Sequence, residues 1–267
     1  MAGICRLKYT IMYKLMQYVT AAAALLVLAS CSVKEDRHEC PCLLTIILER
    51  VPERIMNRAD GLWINISTEG KGTALDSPVT GSDYSGPEWL GTDVDKGLVS
   101  VICSNSKALA VPYGSECDSI YAHYKTVRCF EDNARDTVLL RKQWCTATII
   151  LKNAYPEEKY LFEVHGNWAG ISQSGLEPVP GRFYSVPRRI DTDKFQIRLP
   201  RQGDDSMVMS LNSVYEYSLG KLIAGSGYDW KAQNLDDIRI LIDYASAEIA
   251  VSVSPWDGGP DFGDIEI

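Results

Sequence analysis

The chain has 267 residues, 46% of them hydrophobic and 23% charged, with a formal net charge of −8. That is enough apolar material to bury a core in one large domain or two smaller ones. The acidic balance, with no basic block, excludes nucleic acid as a partner, because polyanions are held by clustered Lys and Arg.

In chain order, the first thirty residues carry Arg6, Lys8 and Lys14 and no acid, so their removal would leave a charge of −11. Residues 19–29 form an apolar run. It falls short of the roughly 20 residues that a membrane-spanning helix needs. With positive charges upstream it fits the h-region of a secretory signal peptide, and Met12 and Met16 offer shorter starts. Leu28-Ala29-Ser30-Cys31 resembles a bacterial lipobox. The resemblance implies diacylglycerol on the Cys31 sulfur, cleavage before Cys31 and a fatty acyl group such as palmitate on the new amine. Each buried CH₂ contributes about 0.8 kcal/mol, so several chains hold firmly where one holds marginally. Residues 31–39 then read as a lipidated tether. Within it, Lys34, Glu35 and Asp36 resemble the signal that sends lipoproteins of Bacteroidota to the outer face of the outer membrane.

Once Cys5 is removed and Cys31 lipidated, six cysteines remain: Cys40, Cys42, Cys103, Cys117, Cys129 and Cys145. An even number in an exported chain points to structural disulfides, with about 15 pairings open. Cys40-Pro41-Cys42 lacks the two-residue spacer of redox motifs, and a direct bridge there would be strained, so each is expected to pair elsewhere. Cys103 with Cys117 is the favoured local loop. Zinc competes weakly, because His38, His123 and His165 are scattered and no second pair has ligand spacing. No metal or cofactor is expected.

From residue 45 onward the pattern is one of short strands. They are expected at 45–48, 62–66, 98–103, 119–124, 137–140, 145–151, 160–164, 195–199, 207–211, 214–217, 238–244 and 248–253. Phe195-Gln196-Ile197-Arg198-Leu199 alternates strictly, so one sheet face is apolar and the other polar. Gly81-Ser82-Asp83 and Pro178-Val179-Pro180-Gly181 read as turns. One short helix is expected over 219–224, ended by Gly225 and Gly227. The fold class is therefore all-β, built as antiparallel sandwiches. The expected boundaries are a signal peptide over 1–30, an N-terminal β-sandwich domain over 40–142 and a C-terminal one over 143–267.

Catalytic signatures are missing: there is no Gly-x-Ser-x-Gly, His-Glu-x-x-His, phosphate-binding glycine loop or EF-hand loop. The chain is thus read as no enzyme. Asp204-Asp205, Asp236-Asp237 and Asp257 are acidic groups in turns, read as solvated. Trp168, beside His165, could stack on a sugar ring, as could Trp230 and Trp256. A surface glycan-binding lipoprotein is the alternative they leave open.

Five landmarks in order resemble the FimB-like fimbrillin-associated anchor and minor subunits of Bacteroidota fimbriae. They are the lipobox, DRHECPCLLTI (36–46), CDSIYAHY (117–124), YSLGKLIAGSGYDW (217–230) and DDIRILIDYASAEIAVSVSPW (236–256). The resemblance implies two tandem transthyretin-like Greek-key sandwiches. It also implies a lipid-held subunit that anchors or caps a cell-surface fimbrium and helps set its length. Its partners would be stalk or minor subunits joined by strand donation, where an extended segment fills an open groove. In stalk subunits of this group an arginine-specific protease cuts after the first strand. Arg50, Arg54 and Arg58 occupy that place here, whereas an anchor should keep its lipid.

Overall fold

Alternating burial sets the architecture. In β1 (Cys42–Ile47) Cys42, Leu44 and Ile46 point inward with no exposure, while Leu43, Thr45 and Ile47 face outward. The computed structural model describes residues 40–57, 61–80, 89–155 and 157–256. Cys31, Lys34, Glu35, Asp36, Arg58 and Asp257 lie outside the described residues, as does the whole signal segment.

After β1 come a single helical turn, α1 (Glu53–Met56), then β2 (Leu62–Thr68), β3 (Gly72–Val79), β4 (Trp89–Val94), β5 (Gly97–Ser104), β6 (Tyr121–Cys129), β7 (Asn133–Thr137) and β8 (Arg141–Lys142). These strands form two sheets, one ordered β4-β1-β7 and the other β3-β2-β5-β6-β8. The chain continues with β9 (Trp144–Lys152), β10 (Phe162–Ile171), β11 (Pro178–Ser185), β12 (Arg188–Arg189), β13 (Lys194–Pro200), β14 (Val208–Leu211) and β15 (Tyr215–Tyr217). Then follow α2 (Leu219–Gly225), β16 (Asp237–Asp243) and β17 (Glu248–Ser254). They too make two sheets, β12-β13-β9-β16-β17 and β11-β10-β14-β15. The fold is all-β.

The two strand groups share one wiring rule. Each begins with a strand that sits between an antiparallel and a parallel neighbour: β1 between β4 and β7, β9 between β13 and β16. A parallel neighbour cannot be reached by a hairpin, so it must arrive late in the chain after a crossover. Removing either first strand would therefore open the middle of a sheet rather than trim its edge. The sequence shows no repeat, yet the topology has one.

Apolar side chains from both groups join one core, which includes Leu44, Ile46, Ile64 and Val101 along with Ile149, Ile197 and Ile240. Residues 105–120, between β5 and β6, strap the groups together. Val111 N–H donates to Ala169 O (2.9 Å), Ile171 N–H to Leu109 O (3.0 Å) and Gly114 N–H to Tyr184 O (3.0 Å). Gly170 (φ +124°) permits this approach, since a Cβ there would lie 2.2 Å from Leu109 O.

Several expectations are corrected. Pro178-Val179-Pro180-Gly181 is not a turn but the start of β11, and Pro78 lies inside β3. Both strands are sheet edges, where the N–H that proline lacks is not needed. The strand expected at 137–140 sits earlier, as β7. The α2 helix runs one residue past the expected end, and Gly227 adopts the left-handed conformation (φ +80°) that closes it.

Candidate functional site

Two places concentrate chemistry. The first is the start of the fold, around β1. Leu43 N–H donates to Asp132 O (2.9 Å) and Val138 N–H to Ile47 O (2.9 Å), extending the ladder at both ends of β1. Behind it, Asp136 of β7 is fully buried and gathers β6: His123 Nε2 lies 2.8 Å and Lys125 Nζ 2.7 Å from its two oxygens. The Leu139 N–H donates to His123 Nδ1, so Nε2 carries the proton given to Asp136. Burial opposes charge on Asp136, but hydrogen bonds from His123 and Lys125 outweigh it and hold the carboxyl below its usual range. After β1 the chain turns at Glu49-Arg50, and both Arg50 and Arg54 are exposed. Residues flanking them are not: Val51 and Ile55 pack into the core.

All six cysteines are free thiols in the structure, and the expected Cys103–Cys117 bridge is not formed. Cys103 points into the sandwich interior near Asp136, while Cys117 is buried with its thiol donating to Asp118 O (3.4 Å). The spacing argument could not reveal this, because facing within a sandwich is a property of the pleat and not of chain distance. Cys42 and Cys129 are brought side by side, within hydrogen-bonding reach, and neither is exposed to solvent. Burial raises both thiols, Cys129 to about 12. Cys40 is exposed. Among the described residues no group of three or more His, Cys, Asp or Glu side chains is placed to hold a metal ion.

The second place is a cavity of about 980 Å³ where β6, the end of β10 and the loops before β14 and β16 converge. Trp168 and Trp230 both line it, with Gln202, Arg201, Asp204 and Asp205. Trp168 lies against Gly203, where a Cβ would fall 2.5 Å from the indole ring. Among the described residues, the buried Gln202 Oε1 and the Trp168 indole nitrogen have no hydrogen-bond partner. The indole N–H leans toward Asp204 without hydrogen-bond geometry. The Ser206 hydroxyl (2.5 Å) and N–H (3.0 Å) hold that carboxyl below its usual range. Arg201 is buried and donates to Gln143 Oε1 (2.9 Å), Ala232 O (3.0 Å) and Trp230 O, pinning the 229–232 loop to the junction of the two strand groups. Trp256 is elsewhere, its backbone N–H on Asp236 Oδ1 (2.8 Å). Asp237 is equally committed, accepting from Lys142 Nζ (2.5 Å) and the Thr146 N–H (2.7 Å). Sequence reasoning named both cavity tryptophans but missed Arg201 and Gln202, which stand side by side just after a strand with no motif around them.

The class of protein this geometry defines is an all-β molecule of two linked strand groups, held together by strand pairing and apolar burial. No family model matches the chain, and no curated protein matches it in sequence. Solved structures do. The fimbrial anchor protein Mfa2 from Porphyromonas gingivalis is similar with a TM-score of 0.54 at 10% identity, covering 81% of this chain and 98% of that one. A candidate adhesin from Bacteroides ovatus has a TM-score of 0.54 at 12% identity, covering 82% and 95%. A candidate polysaccharide-binding protein from Bacteroides thetaiotaomicron has a TM-score of 0.51 at 9% identity, covering 81% and 99%. At such identities the likeness is one of fold. It extends over nearly the full length of each neighbour.

Proposed function

We propose that the chain is a lipid-held accessory subunit of a cell-surface fimbrium, moored in the outer membrane through Cys31, and that it anchors or caps the fibre and helps set its length. The observation that carries this reading is the fold shared with the Mfa2 anchor over 98% of that protein. It is supported by the lipobox-like segment that precedes β1. The two strand groups then act as tandem transthyretin-like sandwiches dividing at residues 142–143, where pairing of the first set ends with β8 and the second begins with β9. Neighbouring subunits join by strand complementation, in which an open ladder and apolar groove gain free energy when a donor strand pairs with them. Such a role needs no catalytic residue and no cofactor. Deleting the gene is expected to shed fimbriae into the medium or change their length, with both restored by complementation. Fimbriae that stay attached at normal length in the deletion strain would refute the reading.

A second reading has one observation in its favour: Trp168 and Trp230 line a single cavity that also holds Gln202 Oε1, unpaired among the described residues. Aromatic faces with a few fixed polar groups suit a sugar ring. Glycan-array binding that disappears in Trp168→Ala would support a surface glycan-binding module; an array without binding removes it.

A further inference from the structure

The exposed arginines after β1 pose a physical problem for any chain held by its N-terminus. A cut at Arg50 or Arg54 would leave β1 and everything before it attached only by ladder hydrogen bonds and packing. Cys42 and Cys129 stand where that problem would be solved. Cys42 is the first residue of β1, opposite Val94 of β4. Cys129 is the last residue of β6, opposite Gly97 of β5. Asp132, in the turn after Cys129, is tied both to the turn between β4 and β5 by Lys96 Nζ (3.0 Å) and to β1 itself by the Leu43 N–H. Both thiols belong to the same closed core and have no exposure.

We propose that Cys42 and Cys129 form a disulfide in the exported protein, a covalent lock that keeps β1 and the N-terminal tether on the body even when the Arg50–Arg54 segment is cut. The proposal rests on export of the chain from the reducing cytosol, as the reading above requires. The oxidant is a protein disulfide of the cell envelope. The thiolate of one cysteine attacks that disulfide, forming a mixed disulfide and releasing one oxidant thiolate. The second cysteine's thiolate attacks the substrate sulfur of the mixed disulfide, closing Sγ–Sγ and expelling the other oxidant thiolate. The two cysteine protons go to water or to those thiolates, and the oxidant leaves as a dithiol carrying two electrons. Exchange must come before final burial, because in the folded chain both sulfurs are sealed off and burial keeps them protonated. The direct rival, Cys40 with Cys42, would staple the tether to itself and leave β1 unsecured.

The test uses the full chain from envelopes lysed in alkylating reagent without reductant, then denatured and digested with an arginine-specific endoprotease. Cleavage after Arg37 and Arg50 yields a peptide over 38–50, and cleavage after Arg128 and Arg135 yields one over 129–135 whose only cysteine is Cys129. The expected result is one species with the summed mass of the two. Reductant splits it, and fragmentation places the link on Cys42. Alkylated Cys42 and Cys129, or Cys129 linked to any other cysteine, would overturn the proposal. A second measurement places a site-specific protease sequence between Arg50 and Val51. After cutting, the N-terminal piece should stay with the body in a denaturing gel until reductant is added. In Cys129→Ser it should be released without reductant. Release from the unmodified-cysteine protein without reductant would also overturn the lock. A mapped disulfide in a strain whose fimbriae ignore gene deletion would sink the anchor reading alone.

Discussion

Removing β1 should leave a first strand group that cannot stay folded alone but can be rescued by the missing strand. A chain beginning at Val51 loses Leu44 and Ile46, which have no exposure, and Leu48 at 2%. At about 1.5–3 kcal/mol for each fully buried aliphatic side chain, the apolar loss alone is about 5–9 kcal/mol. Domains are stable by only about 5–15 kcal/mol, so most or all of the stability of the first strand group goes. β4 and β7 also lose the partner between them, which leaves two ladders of backbone groups unpaired. Under reducing conditions, the truncated chain should show weakened β-sheet circular dichroism, bind a dye that reports exposed apolar surface, and unfold at much lower denaturant. A synthetic peptide of residues 40–50 should restore the folded signal and bind with a Kd below about 1 mM, since even the lower end of that range, about 5 kcal/mol, exceeds the corresponding value of about 4.1 kcal/mol. The same peptide carrying Ile46→Asp should do neither. A truncated chain that is monomeric, unfolds at the full-length midpoint and ignores the peptide would refute the view of β1 as a replaceable central strand.

Other outcomes follow from single contacts. Gly170→Ala drives a methyl to within 2.2 Å of Leu109 O and should cost about 2–3 kcal/mol in chemical denaturation; an unchanged midpoint would mean the 105–120 strap is not closely seated. Gly203→Ala pushes against the Trp168 ring and should shift tryptophan fluorescence while lowering stability by about 1–3 kcal/mol. Asp136 has a folded pKa below its unfolded value of about 3.9. Its contribution is therefore complete above about pH 4 and is lost as pH falls through the lowered folded value. Asp136→Asn should cost about 2–3 kcal/mol at neutral pH and flatten stability against pH in that acid window; an unchanged acid limb would contradict the assignment. Forming the Cys42–Cys129 bond closes a loop of roughly 90 residues, so oxidised protein should exceed reduced protein by about 4–5 kcal/mol in the chain-entropy account.

How far the sequence could be read depended on which physical signal each element carries. Strands buried on one face advertise themselves by alternation, and β2, β9, β13 and β16 were visible for that reason. Edge strands tolerate proline and lack a clean alternation of buried and exposed residues, so residues 178–181 of β11 read as a turn and β3 gave no strand signal. The all-β class followed from the visible strands; the shared wiring of β1 and β9 did not, because parallel pairing joins strands distant in the chain. Which cysteines become neighbours was equally hidden. The favoured Cys103–Cys117 loop used nearness in sequence, whereas the pleat turns Cys103 inward and brings Cys42 to Cys129. At the cavity, Trp168 and Trp230 could be suspected from their type alone. Arg201 and Gln202 could not, since their role comes from the junction that their side chains and the 229–232 loop create together.

In the proposed anchor role, the mature protein remains attached to lipid at its N-terminus. Mass spectrometry of the N-terminus, on protein taken from native outer membranes and fully reduced, tests it most directly. The expected result is a terminal peptide beginning at Cys31, with diacylglycerol on sulfur and an acyl group on the amine. Protein lacking any acylated terminus, with chains starting only at Val51, Ile55 or Ala59, would contradict it and mark a processed, polymerising subunit instead.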